Sequence, residues 1–210
     1  FEDRDGILWA GTAHGLSRGE NGTWKTVDDP RLSTAYILSI AQGADGTHWF
    51  GTSNGLYRVS QGKTSLLTTA DGLSSDAVRA IYVQRNGDIW LSTDSGVNRI
   101  RVDGRIEKFE DRGLGTDYAI AVVETSDGRI WAATGAGLGE LDGQRFTLHS
   151  APSELPSNRL FALDADDDGT LQYLRQMVIH RVAQERSHHR VIGAERDESL
   201  PHHQPEPGAM

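Results

Sequence analysis

Cysteine is absent from the 210-residue chain, which excludes a disulfide framework, thiolate metal centres and cysteine nucleophiles. No run of 18 apolar residues occurs, so no segment is long and apolar enough to span a membrane as a helix. Apolar residues make up only 37% and aromatic residues 7%, a thin supply for one large core. Basic residues are outnumbered, 21 against 30, leaving a formal charge of −9. That sign does not suit a nucleic-acid binder. The chain opens on Phe1 with no charged-then-apolar leader behind it, and a fragment, a processed chain or a trimmed piece is expected.

What the sequence has in excess is glycine, 24 residues where an average chain of this length holds about 15. The excess is periodic. Asp5-Gly6-Ile7-Leu8-Trp9 returns as Asp45-Gly46-Thr47-His48-Trp49, as Asn86-Gly87-Asp88-Ile89-Trp90 and as Asp127-Gly128-Arg129-Ile130-Trp131. The tryptophans are 40, 41 and 41 residues apart, and six residues after each comes a glycine, Gly15, Gly55, Gly96 or Gly137. A second series, Leu32, Leu73, Leu114 and Leu155, keeps a spacing of 41 throughout. Two anchors in one phase make an internal repeat. A fifth round starts in phase at Asp168-Gly169-Thr170-Leu171, but Gln172 stands where tryptophan is due.

Within the unit 32–72, Tyr36 to Ala41 is apolar and β-branched, and Asp45-Gly46 supplies the positive φ of a tight turn. Thr47 to Thr52 reads as a second strand, Leu56 to Val59 as a third and Lys63 to Thr69 as a fourth, with turns at Ser53-Asn54-Gly55 and Ser60-Gln61-Gly62. Four antiparallel strands in about 41 residues are the content of a β-propeller blade. Helical solenoids do not fit, because Asp-Gly and Asn-Gly pairs interrupt every window. A β-helix fits poorly as well, its coils being shorter.

The fold class expected is therefore all-β: a partial propeller of about four blades with an irregular or short-helical tail. The units are 1–31, 32–72, 73–113, 114–154 and the start of another at 155–171, followed by a non-repeat segment at 172–210. The columns agree with packed blades. Ile37, Val78, Ala119 and Leu160 align, as do the small residues Ser39, Ala80, Ala121 and Ala162, which suit an innermost strand where space is short. Trp9, Trp49, Trp90 and Trp131 are expected to pack between blades; an aromatic ligand cage is the alternative.

Several tempting motifs have plainer readings. Asp164-Ala165-Asp166-Asp167-Asp168-Gly169 imitates the start of a calcium loop, but position twelve is Arg175 rather than the closing Glu, and the segment is also the repeat's first hairpin. His14 and His48 have no second ligand at a useful repeated position. Asn21-Gly22-Thr23 fits a glycosylation sequon and a type I′ hairpin equally, and the hairpin is preferred. Gly135-Ala136-Gly137-Leu138-Gly139 lies between strands with no helix to receive a phosphate. No metal site, cofactor or catalytic residue is expected. In 172–210, five of the eight histidines and three of the six prolines gather. Apolar residues at 174, 177, 178 and 182 allow a short helix over Tyr173 to Glu185, His188-His189 and His202-His203 allow a metal, and the abrupt change of composition allows a shifted reading frame.

The residues resemble a known family at two places in each unit. Asp5-Gly6-Ile7-Leu8-Trp9-Ala10-Gly11-Thr12 followed by His14-Gly15-Leu16, and the run Gly72-Leu73-Ser74-Ser75-Asp76-Ala77-Val78-Arg79-Ala80-Ile81, look like the two-component regulator propeller repeat, and Leu155-Pro156-Ser157-Asn158 is similar to the run that leads into its blades. Ser92 and Ala133 depart from the family's Gly-Thr, and Gln172 from its tryptophan. The resemblance spans roughly 1–171. It implies an extracytoplasmic, periplasmic sensor region of a bacterial membrane receptor. Its usual companions are further blades, a β-sandwich, one membrane helix and a histidine kinase or diguanylate cyclase output. The segment itself would be non-catalytic.

In a blade the fourth-to-first and second-to-third loops open on one face. There the first strands begin with Tyr36, Ala77, Tyr118 and Arg159, preceded by Ala35, Asp76, Asp117 and Asn158. Varied side chains on a repeated frame are where binding is expected. Tyr36, Asp76, Asp117, Tyr118, Asn158 and Arg159 are thus candidates to hold an unknown small, polar or sugar-like ligand; the plainer reading is that they tie down their loops. Two rivals remain: a lyase- or hydrolase-like propeller enzyme at the axial mouth, for which His14 with Asp76 or Asp117 is the available acid–base set, and a protein–protein scaffold using the blade rims.

Overall fold

The computed structural model describes residues 1–109, 112–114, 118–166, 168–175, 178–183 and 190–192. They form five antiparallel sheets in chain order. Blade 1 has three strands, β1 (Leu8–Thr12), β2 (Gly15–Glu20) and β3 (Thr23–Thr26). Blade 2 is β4 (Ile37–Gln42), β5 (His48–Thr52), β6 (Gly55–Ser60) and β7 (Lys63–Leu67). A single 3-10 turn at Thr69–Asp71 leads into blade 3. That blade is β8 (Val78–Val83), β9 (Ile89–Thr93), β10 (Gly96–Ile100) and β11 (Ile106–Lys108). Blade 4 is β12 (Ala119–Glu124), β13 (Ile130–Thr134), β14 (Gly137–Asp142) and β15 (Arg145–His149). Blade 5 is β16 (Ala162–Ala165), β17 (Leu171–Arg175), β18 (Val178–Ala183) and β19 (Arg190–Ile192). Each sheet is an up-and-down meander, and the first strands β4, β8, β12 and β16 pack in succession, one on the next. The architecture is a β-propeller arc.

Two hairpins explain the sequence period. In the first, the N–H of Gly46 donates to the carbonyl of Gly43, and the same bond recurs at Gly6, Gly87, Gly128 and Gly169. In the second, Thr52 Oγ1 donates to the Gly55 carbonyl at 2.7 Å; Thr12, Thr93 and Thr134 do the same to Gly15, Gly96 and Gly137. The threonine oxygen also accepts the N–H of the residue two places on, at His14, Asn54, Ser95 and Ala136. One hydroxyl thus closes each turn, which is why Thr-x-x-Gly repeats.

Between adjacent blades lie four apolar clusters, one per seam. Leu32, Leu73, Leu114 and Leu155 fall one to a seam, in chain order. Trp49, Trp90 and Trp131 are buried in the second, third and fourth seams, and Trp9 packs on the first. A modest apolar content suffices because each blade needs only two thin apolar faces. Gly11 and Gly51 sit where β1 and β5 press against the first strand of the next blade: a Cβ on Gly51 would lie 2.6 Å from the carbonyl oxygen of Val78. Blades 3 and 4 carry Ser92 and Ala133 at this position, both buried.

Two expectations are corrected. Tyr173 to Glu185 does not hold a short helix: residues 171–175 and 178–183 are strands paired in register from Leu171↔Val182 to Arg175↔Val178. The physical reason is the edge that β16 presents, together with the β-branched run Val178-Ile179 and the absence of a helix cap; a strand partner outweighs weak helical spacing. The boundary at 171 is likewise not where the repeat's strands stop, since pairing reaches Ile192. Gln172 shows how. The indole N–H of Trp9 donates to Asp3 six residues earlier and that of Trp90 to Gln84, also six earlier; the Gln172 amide donates to Asp166, again six earlier, at 2.9 Å. His188-His189 and His202-His203 lie outside the described residues.

Candidate functional site

Every first strand of blades 2, 3 and 4 slips register at the same place, between Ile37 and Ser39, Val78 and Ala80, and Ala119 and Ala121. Leu38, Arg79 and Ile120 are therefore bulged residues with no opposite partner. A bulge re-aims its side chain and bends the strand. Just upstream, the carbonyls of Tyr36, Ala77 and Tyr118 accept the N–H groups of Ser53, Asp94 and Gly135. These bonds join the start of each first strand to the tip of its second hairpin, so both loop sets open on one face, as the strand alternation requires. The sequence carried no signal for the bulge, since the Leu38, Arg79, Ile120 and Phe161 column has no common chemistry.

The candidate residues divide by what they touch. Tyr36 is 50% exposed at this face. Tyr118 is exposed and lies under the guanidinium of Arg79, 4.9 Å from ring centroid to Cζ. Arg79 also pairs with Asp94 of the neighbouring hairpin tip. Asp76 and Asn158 hold their loops: Asp76 Oδ1 accepts the Thr69 N–H at 2.7 Å, and Asn158 Oδ1 accepts the Ala151 N–H, the equivalent bond two blades on. Arg159 stacks on Phe161, 5.4 Å from the ring centroid. Asp117 lies outside the described residues. Arg79, Asp94 and Phe161 were not among the expected residues; the bulge re-aims Arg79, Asp94 stands on the hairpin tip beside it, and Phe161 precedes the first strand of blade 5.

Tyr118, Asn158 and Arg159 come together in an open cleft of about 610 Å³ between blades 4 and 5, completed by Ile120, Gly135, Ser157, Leu160 and Phe161. Tyr36 and Asp76 do not reach it. A second groove, about 450 Å³, lies on the opposite face between blades 2 and 3, over Trp49, Arg58, Ile89 and Ile100. His14 is exposed at a hairpin tip, its N–H given to Thr12, and the Asp76 carboxylate is committed to Thr69. Asp117, the other carboxylate of the expected acid–base set, lies outside the described residues. At the calcium-like segment, Asp166 and Asp168 both accept the Thr170 N–H, as ordinary hairpin residues.

On the face opposite the cleft, blade 1 is fastened to blade 2. Asp3 is buried and accepts from Trp9 Nε1, from the N–H groups of Asp5 and Ile7, and lies 3.1 Å from His48 Nε2. Burial pushes the Asp3 carboxyl up, but these hydrogen bonds outweigh it and hold the group below the usual range. Arg4 reaches across to the carbonyls of Gly43 and Ala44, and Arg85 makes the corresponding reach from blade 3 to Ser126.

The family model described as two component regulator propeller matches residues 31–54 and 72–95. No curated protein sequence matches the chain. Among solved structures, the extracellular domain of a hybrid two component system protein from B. thetaiotaomicron is similar over 87% of this chain and 26% of its own length, at 20% identity and a TM-score of 0.74. A one component system extracellular domain from the same organism is similar over 93% of this chain and 31% of its own, at 18% identity and a TM-score of 0.74. Virginiamycin B lyase from Staphylococcus aureus is similar over 87% of this chain and 64% of its own, at 21% identity and a TM-score of 0.68. The chain therefore spans between a quarter and two thirds of these proteins, and at such identities the likeness is one of fold. Repeat and register converge on a run of β-propeller blades, in which residues 31–54 and 72–95 match the two component regulator propeller model.

Proposed function

We propose that the chain is a ligand-sensing propeller segment of a bacterial membrane signalling receptor, itself without catalytic activity. The observation that carries this reading is the family match in the two blades at 31–54 and 72–95. Two neighbours of the same fold being extracellular domains of two component and one component systems supports it, and supports a periplasmic location. No helix among the described residues is long and apolar enough to cross a membrane, consistent with a segment held outside the bilayer by other parts of its receptor. Further blades and a histidine kinase or diguanylate cyclase output are the partners this reading requires. The signal would be a ligand-linked change in how the propeller sits against those parts.

The mouth at Tyr118, Asn158 and Arg159 is the place such a ligand would bind, because there the constant frame carries side chains that differ between blades. The enzyme reading has only the fold of a lyase behind it, and Asp117 of its candidate acid–base set, His14 with Asp76 or Asp117, lies outside the described residues. The test is a thermal-shift screen of small metabolites against the chain and its Tyr118→Ala and Arg159→Ala variants. A ligand present well above its Kd raises Tm. The reading expects hits that disappear in both variants. Hits that persist in both would move the site elsewhere, and an absence of hits with retained capture of a protein partner would favour the scaffold.

A further inference from the structure

The cleft between blades 4 and 5 has a charge unlike the rest of the molecule. The chain is acidic, at −9, yet among the described residues the lining includes one guanidinium and no carboxylate. Arg159 is exposed, stacked on Phe161, and makes no ion pair among the described residues. Its counterpart at the mouth, Arg79, is already neutralised by Asp94. The Arg159 guanidinium carbon lies 5.4 Å from the Phe161 ring centroid, and a guanidinium with no ion-pair partner among the described residues has N–H groups that can receive a planar anion through two parallel bonds.

Two neighbours add donors. Asn158 gives its oxygen to the Ala151 N–H, so the NH₂ end of that amide is the one left to donate. Ser157 Oγ accepts the Arg159 N–H at 3.1 Å, which leaves its hydroxyl proton free to turn into the cleft. Beside these donors the wall is apolar: Ile120, buried Leu160, and Phe161, a ring that is 49% exposed. Phe161 and Ile120 give this wall an apolar surface against which a ring or alkyl portion of a ligand can pack.

We propose that this cleft binds a small organic carboxylate, its charge on Arg159 with Asn158 and Ser157, its apolar or ring portion against Phe161 and Ile120. A single unpaired guanidinium matches a monoanion; a phosphate dianion would need a second cation, and Arg79 is not available. The proposal rests on the sensor reading and narrows it to a ligand class.

The experiment is ligand-observed NMR titration of the whole chain with benzoate, with the isosteric neutral benzamide, and with inorganic phosphate, repeated on Arg159→Gln, Arg159→Lys, Phe161→Ala and, as a distant control, Arg31→Gln. Benzoate is expected to bind at least about tenfold tighter than benzamide or phosphate, the worth of one charge-assisted hydrogen bond. Arg159→Gln should remove that preference, Arg159→Lys should restore only part of it, Phe161→Ala should weaken both ring probes, and Arg31→Gln should change nothing. Equal binding of benzoate and benzamide, with Arg159→Gln indifferent, would overturn the carboxylate inference while leaving a ligand site at the mouth. Preference for phosphate would overturn it as well. Failure of every probe to bind would overturn the assignment of this cleft, and the sensor reading would then stand or fall on the metabolite screen alone.

Discussion

Gly55 adopts φ 130°, and a Cβ placed there would lie 2.6 Å from the carbonyl oxygen of Leu67. Gly62, with φ 72°, has nothing within 4 Å of its own notional Cβ. The two therefore separate conformational strain from collision. Gly62→Ala should cost about 1 kcal/mol, whereas Gly55→Ala should cost about 3 kcal/mol or more, because strained backbone and a clash with backbone add. Urea denaturation of both variants checks this; equal losses would mean that β7 shifts to make room. Asp3 gives a second prediction. Its folded pKa is lowered, so the stabilisation is fully present above the ordinary Asp value of about 4 and is lost as pH falls through the lower folded value. Stability measured by denaturation should drop in that acid window, and Asp3→Asn should flatten the drop while weakening the protein at neutral pH. An unchanged acid limb in the variant would show that other carboxylates carry it.

The threonine-closed hairpin is the element most plainly written in the sequence. Thr93 is fully buried, donates to Gly96 and accepts from Ser95. Thr93→Val keeps the shape and orphans both backbone groups, for an expected loss of about 2 kcal/mol; a loss below about 0.5 kcal/mol, within the range of a neutral surface change, would mean water replaces the hydroxyl. Strand number, turn positions and the Trp and Leu columns were legible because each repeats with a fixed physical job. The first-strand bulge was not, since it is a property of register and leaves no mark on composition. Nor was the standing of Gln172, which looks like a broken motif until Asp166 is seen to accept from it. For the site, the positions of Tyr118 and Arg159 were readable from loop logic, whereas Arg79 and Phe161 were not: cation–π pairing joins side chains from different strands or after a bend, and spacing does not encode it.

At the scale of the molecule, stability is divided among seams rather than gathered in one core. Blade 1 contributes a particular edge. Trp9 exchanges backbone bonds with Phe1, but Gly11, whose N–H and C=O point the same way, has no second strand beside it among the described residues. With Leu8 exposed on that strand, the chain should self-associate as its concentration rises. Sedimentation velocity over a range of concentrations should show it, and Leu8→Lys should lessen it. A monomer at every concentration would show the edge to be covered.

The bulge at Leu38, Arg79 and Ile120 also separates side-chain identity from architecture. A residue with no opposite number in the ladder is free to change type without disturbing a pair, while the bonds from the hairpin tips keep the backbone where it was. The column can therefore be rewritten from one blade to the next without refolding the sheet that carries it.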